Sequence, residues 1–290
     1  MATLRDRDFD SMADYLLERA NAVRRVEPPI DLFDLAKLQR VTVVDLRPMI
    51  PIGGLSCRTS GFVVYLRDLT RKGPLEVPVG ASLEDRPRLN TRQRFTLAHE
   101  LAHTLLFSPS DPPELRRDAP TAAKLESLCH RAARRLLLPP TLVAREMKRR
   151  VNLESADILD LARIFDVSPE VVLWRCDEIE SVRKSSRAVV LIRRRPSGDQ
   201  EITQFYCSQW FQDRKGRPEV GMAPKAWLAS SVDESFWIGP EATSTVADDE
   251  GKIVTRRVPW RPGAYFVELR LERPAEDIPL LTEQDEATGA

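Results

Sequence analysis

The stretch FTLAHELAHTLLF, residues 95–107, limits what this chain can become more than any other. Phe95, Ala98, Leu101, Ala102 and Leu105 recur at helical spacing and form an apolar stripe. The same turns carry His99, Glu100 and His103. Histidine occurs three times in 290 residues, and the third, His130, lies a short way downstream. Two imidazoles four residues apart leave one face of a helix a turn apart, so they can meet at one point. Burying two unpaired imidazoles in an apolar helix is costly. The fold must therefore bring partners to them, either polar groups of a second element or a metal ion. Asn90 with Gln93 three residues on reads as a capping box that starts this helix.

A second long helix is expected over 121–138, TAAKLESLCHRAARRLLL, stopped by Pro139-Pro140. It offers Glu126 and His130, four apart on one face. Zinc accepts imidazole nitrogen and carboxylate oxygen, and catalytic sites with three histidines or with two histidines and a glutamate both exist. Chemistry leaves the third ligand open; spacing favours Glu126 and leaves His130 beside the site. Glu100, one residue after the first imidazole, is placed to take a proton from an attacking water. Tyr65 or Arg116 are candidates for stabilising the oxyanion. The plain alternative is a helix whose histidines hydrogen-bond within a core.

The length calls for two or three domains. A helix over 8–24 and a short one capped by Asp31 precede strands VTVVDLRPMI and GFVVYLRDL, with Gly53-Gly54 read as the turn between them. Residues 70–91 read as a polar connection. Over 153–180, two apolar helical stretches flank Asp166-Val167-Ser168-Pro169, with Ser168 as cap and Pro169 in the first helical position. This pair fits a DNA-reading helix–turn–helix, but its second helix ends acidic, and a plain helical hairpin is the preferred reading. From Ser185 the pattern turns to strands: RAVVLIRRR, EITQFYC, KIVTRRV and AYFVELRLER. The closing PAEDIPLLTEQDEATGA is acidic and reads as a disordered tail.

Lys+Arg and Asp+Glu are both 44, so the chain as a whole is no electrostatic nucleic-acid binder. Its recurrent Arg-Arg runs read as solvated faces. The four cysteines form no C-x-x-C pair, and no run of about 18 apolar residues calls for a membrane span. The N-terminus has no apolar signal-like core, and a cytoplasmic protein with reduced thiols is expected. Cys57, in GGLSCRTSG, is a candidate fourth metal ligand that would hold an enzyme off by displacing water; an ordinary half-buried cysteine is the simpler reading.

RQRFTLAHELAHTLLF followed by ESLCHRAARRLLLP resembles the ImmA/IrrE family of zinc metallopeptidases. Arg92, Arg94, Phe95, Thr96, Leu97, Ala98, His99, Glu100, Leu101 and His103 fall on its first pattern; Glu126, Ala133, Leu136, Leu137 and Pro139 fall on its second. Ala102 stands where the pattern has Gly, Cys129 where it has Ala, and His130 where it has Asn. The resemblance implies Zn2+ held by His99, His103 and Glu126, with Glu100 as catalytic base and His130 near the ligands.

It also implies an α+β chain: a mainly helical, zincin-like metallopeptidase domain with a small sheet over 1–150, a helical linker over 151–184, a GAF-like sensor domain over 185–274, and the tail over 275–290. The implied activity is a single cut in a helix–turn–helix repressor, which relieves repression of DNA-damage, mobile-element or anti-phage genes. The C-terminal domain is the expected sensor of single-stranded nucleic acid or a small signalling ligand. Its Phe205, Tyr206, Trp210, Phe211, Trp227, Phe236, Trp237 and Trp260 are candidates for stacking, with a packed core as the plainer reading. The rival expectation is a DNA-binding or repressor-binding regulator whose metal site is structural.

Overall fold

A computed structural model of the chain describes residues 6–48, 50, 53–108, 113–116, 121–147, 150, 153–178, 187–215, 217–228, 236, 243–248 and 251–272. The acidic segment 275–290 lies outside them. The chain divides into two compact units, residues 1–151 with 157–175, and residues 152–156 with 176–290. Most of the helical pair expected within 151–184 falls in the first unit.

In the first unit, helices α1 (Asp6–Val23) and α2 (Leu32–Leu38) lead into strands β1 (Val41–Arg47), β2 (Gly53–Arg58), β3 (Gly61–Arg67) and β4 (Leu75–Pro78). Asp31 caps α2, its carboxylate accepting from the Phe33 and Asp34 backbone N–H groups. The strands form one mixed sheet in the order β2-β3-β1-β4: β1 runs parallel to β3, and the other neighbours are antiparallel. Two expectations fail here. Gly53-Gly54 is not a turn but the start of β2, and the connection over 70–91 contains β4.

Helix α3 (Thr91–Thr104) then crosses the unit, followed by α4 (Ala122–Leu137), α5 (Pro140–Met147), α6 (Ser155–Phe165) and α7 (Pro169–Glu178). The Asn90–Gln93 capping box is present in both directions, and it fixes where α3 begins. α3 packs against α4, α2, β3 and β2, so it is buried on nearly every side. Leu97, Ala98, Leu101 and Ala102 are fully enclosed. Two small alanines let the neighbouring helices approach. α4 is held from its other side by α1: Arg131 Nη2 donates to Asp10 Oδ2 at 2.6 Å, and Arg135 Nη2 donates to Asp14 Oδ2 at 2.6 Å. Arg135 of the Arg134-Arg135 run is therefore structural, and the Arg134 guanidinium lies over the Trp174 ring at 4.0 Å.

Arg94 ties α3 to two distant loops. Its Nη2 donates to the Ile30 carbonyl at 2.9 Å and its Nε to the Asp166 carbonyl at 3.0 Å. Asp166 has φ 52, the left-handed turn between α6 and α7. In α7, Val172 and Leu173 are buried, and Arg175 Nε donates to the Leu138 carbonyl at 3.1 Å.

The second unit contains β5 (Arg187–Arg194), β6 (Gln200–Cys207), α8 (Gln209–Lys215), α9 (Pro224–Leu228), β7 (Thr243–Asp248), β8 (Gly251–Arg261) and β9 (Ala264–Glu272). Its strands make one antiparallel sheet, ordered β6-β5-β9-β8-β7. β7 was not foreseen, because TSTVAD has no apolar alternation. Ala188, Val190 and Ile192 alternate along β5 and meet Tyr265, Val267 and Leu269 of β9 in the core. α8 and α9 add Phe211, Trp227 and Leu228 to it. Phe205, Phe211, Trp227 and Phe236 belong to this core, and Tyr206 is fully buried, so these aromatics do not offer stacking faces. The side chains of Trp210 and Trp237 lie outside the described residues.

Candidate metal centre

His99 and His103 project from one face of α3 toward the carboxylate of Glu126 on α4. His99 Nε2 lies 3.1 Å from Glu126 Oε2 and 3.2 Å from His103 Nε2. His103 Nε2 lies 3.4 Å from Glu126 Oε1. One donor atom from each residue falls within 4.8 Å of the other two, and this is the group of metal-ligating type found among the described residues. Three donor atoms converging on one point fit a divalent cation; with no ion between them, an Nε2–H of His99 can donate to Glu126 across the same gap. The donor set of two imidazoles and a carboxylate suits zinc.

Burial prepares the imidazoles for such an ion. It lowers the His99 pKa to about 4, helped by neighbouring His130 and His103, and it lowers the His103 pKa as well. Both rings are therefore neutral at physiological pH, as a metal ligand must be. Glu100, between the two imidazoles in the sequence of α3, is 8% exposed. Burial first, and then the charge of Glu126, raise its pKa to about 7. A carboxyl group poised there can both take and return a proton near neutral pH.

His130 stands beside the cluster. Its ring centroid is 4.5 Å from that of His99 and 5.7 Å from Phe95, against which it stacks. Burial, then Arg134, lower its pKa. Cys57 is not brought to the metal-ligating group: its exposed sulfur lies 3.6 Å from the Pro113 carbonyl oxygen. Tyr65 sits in β3 with the Arg47 guanidinium 4.8 Å above its ring. The Arg116 backbone N–H donates to the Leu106 carbonyl.

Two further residues shape the site. Gly53 brings β2 onto α3: a β-carbon there would meet Thr96 Cγ2 at 2.3 Å and Glu100 Oε1 at 3.3 Å. The Gly-Gly pair was the available signal, and Gly53 marks close approach rather than a turn. Cys129 is fully buried with its Sγ 3.5 Å from His103 Nδ1. Burial, then Glu126 and Glu100, push its thiol well above the ordinary range, so it stays protonated.

Two imidazoles and a carboxylate converge near a buried glutamate, a donor set able to hold a metal ion. Residues 89–177 match the peptidase M78 family model, described as an IrrE N-terminal-like domain. Over 91 residues, 30% of this chain, the sequence is 35% identical to the radiation response metalloprotease IrrE of Deinococcus radiodurans. That stretch is 27% of the relative's length, so the chain spans about a quarter of it. A Mycobacterium tuberculosis transcriptional regulator superposes with a TM-score of 0.47 at 16% identity, over 92% of this chain and 76% of that one, a likeness too loose to define a shared fold. The domain match and the relative support a metallopeptidase role for the first unit.

Proposed function

We propose that this chain is a zinc-dependent endopeptidase that makes one site-specific cut in a helix–turn–helix transcriptional repressor, relieving repression of stress, mobile-element or anti-phage defence genes. The catalytic part rests on one observation: His99, His103 and Glu126 converge within 4.8 Å while a separate, buried Glu100 is left over for chemistry. The repressor as substrate rests on the family resemblance.

Bound among these three residues, zinc would supply a Lewis acid that polarises the scissile carbonyl and eases loss of a proton from water. The chain does the rest. The two imidazoles stay neutral because burial disfavours their protonation. Glu100 accepts a proton at its carboxylate as the water oxygen bonds to the carbonyl carbon. The carbon–nitrogen bond then breaks, and Glu100 returns that proton to the departing amine nitrogen. β2, the terminal strand of its sheet, runs beside Glu100 and gives an extended substrate segment a backbone edge to pair with.

A purely structural metal would leave Glu100 without a task, and structural zinc sites close with a fourth protein ligand. The cluster among the described residues has three.

For the second unit, the buried aromatics favour a small anionic ligand over stacked bases. Arg194, Arg257 and Arg261 line a concavity of about 260 Å3 with Tyr265, and no carboxylate lines it among the described residues. Salt-sensitive binding of phosphate-bearing compounds by the full chain tests this reading.

The cleavage assay mixes the protein with candidate helix–turn–helix repressors, with and without chelator. One metal-dependent cut that is lost in Glu100→Gln, with the metal retained, is the expected result. A Glu100→Gln variant cutting at the wild-type rate would overturn the mechanism.

A further inference from the structure

The two imidazoles of the metal centre are not held alike. His99 Nδ1 is buried and has no hydrogen-bond partner among the described residues, whereas His103 Nδ1 faces the Cys129 sulfur at 3.5 Å. That sulfur is enclosed on all sides, on the same helix as Glu126 and one turn from it. A neutral imidazole has one N–H and one lone pair, and which nitrogen carries which is set by the hydrogen bond the other makes. His103 turns Nε2 toward Glu126 and His99. For Nε2 to present its lone pair there, the proton must sit on Nδ1, and the acceptor within reach of Nδ1 is Cys129 Sγ. Sulfur accepts weakly, but a thiol fixed in a packed helix interface holds the ring in one orientation at no cost in mobility.

We infer that Cys129 is a positioning residue for the metal: by accepting a hydrogen bond from His103 Nδ1–H, it selects the tautomer that offers Nε2 to the ion. The inference rests on the metal-centre reading above. The thiol itself does not ligate the ion, because it addresses the ring nitrogen on the far side of the imidazole. Cys129 thereby completes one arm of the site, and the unpartnered His99 Nδ1 leaves the other arm less constrained.

The test measures zinc affinity of wild type, Cys129→Ala and Cys129→Ser by competition with a chromophoric chelator. It adds nitrogen-15 NMR of the zinc-loaded imidazoles. Cys129→Ala removes the acceptor and is expected to bind zinc about 10-fold more weakly. Cys129→Ser restores an acceptor and should recover most of that loss. In wild type, His103 should appear as the Nδ1–H tautomer with a slowly exchanging proton, and that proton should exchange fast in Cys129→Ala. Melting of the zinc-free variants separates a packing defect from a tautomer effect, since packing alone does not move the imidazole nitrogen shifts. If the alanine variant does not fold, the wild-type and serine spectra carry the decision. Equal zinc affinity in wild type and Cys129→Ala, or coordination of His103 through Nδ1, would overturn the inference and leave the metal centre standing. A wild-type chain that binds no transition metal would overturn both.

Discussion

Gly53 of β2 and Glu100 of α3 are so close that a β-carbon on the glycine would lie 3.3 Å from the carboxylate Oε1. The same carbon would lie 2.3 Å from Thr96 Cγ2, one turn earlier on the helix. The missing side chain is what seats the edge strand on the helix, and that seating is part of what buries Glu100.

Gly53→Ala should therefore destabilise the first unit by about 1–3 kcal/mol through overpacking and slow cleavage by displacing Glu100. Thr96→Ser removes the methyl group in the way. The double variant should regain most of both losses, a coupling that urea unfolding and cleavage rates measure. Independent, additive effects would refute the contact.

The Glu100 pKa of about 7 lies above the ordinary 4.5, so the folded chain holds that proton more tightly than the unfolded chain does. Its contribution to stability is complete below pH 4.5 and is lost as pH rises through 7. His99 acts in the opposite sense: its pKa is depressed from 6.5 to about 4, so its contribution is present above pH 6.5 and lost as pH falls through 4. Glu100→Gln keeps the shape and drops the charge. In the metal-free protein it should be more stable than wild type at pH 8, by on the order of 3 kcal/mol. The gap should close near pH 4. Denaturant melts of both chains at the two pH values give the answer, and a constant gap would contradict the assignment.

Arg94 spends its guanidinium on two backbone carbonyls, those of Ile30 and Asp166. Arg94→Met should cost about 2–4 kcal/mol, because it leaves buried acceptors without a charged donor. Arg94→Lys should not rescue it, since one ammonium cannot span both carbonyls. Unfolding of the purified variants measures this; a lysine variant as stable as wild type would show that the fork geometry is unimportant.

His99, Glu100 and His103 were legible as a group because helical spacing is a local property, and the Asn90–Gln93 cap could be read three residues apart. Glu126 lies on the next helix, where spacing only favoured it over His130 and the family resemblance made the choice. What depended on how elements cross was hidden. Cys129 meets His103 only because α3 and α4 pack at a particular register. Gly53 reads as a turn residue until the helix beneath β2 is known. β4 is four residues long, half exposed and ends in proline, too short for its Leu75–Val77 alternation to stand out. Alternation marked β5, β6, β8 and β9 of the second unit, yet aromatic residue type cannot distinguish a core from a stacking platform; burial of Phe205, Tyr206, Phe211, Trp227 and Phe236 does.

The central claim is that His99, His103 and Glu126 together hold one divalent ion, and elemental analysis of the purified chain tests it most directly. The account predicts about one zinc per chain in wild type and in Glu100→Gln, and far less in His99→Ala, His103→Ala and Glu126→Ala, because each removes one of three protein ligands. Wild-type protein without transition metal after zinc reconstitution, or alanine variants that keep a full equivalent, would contradict it.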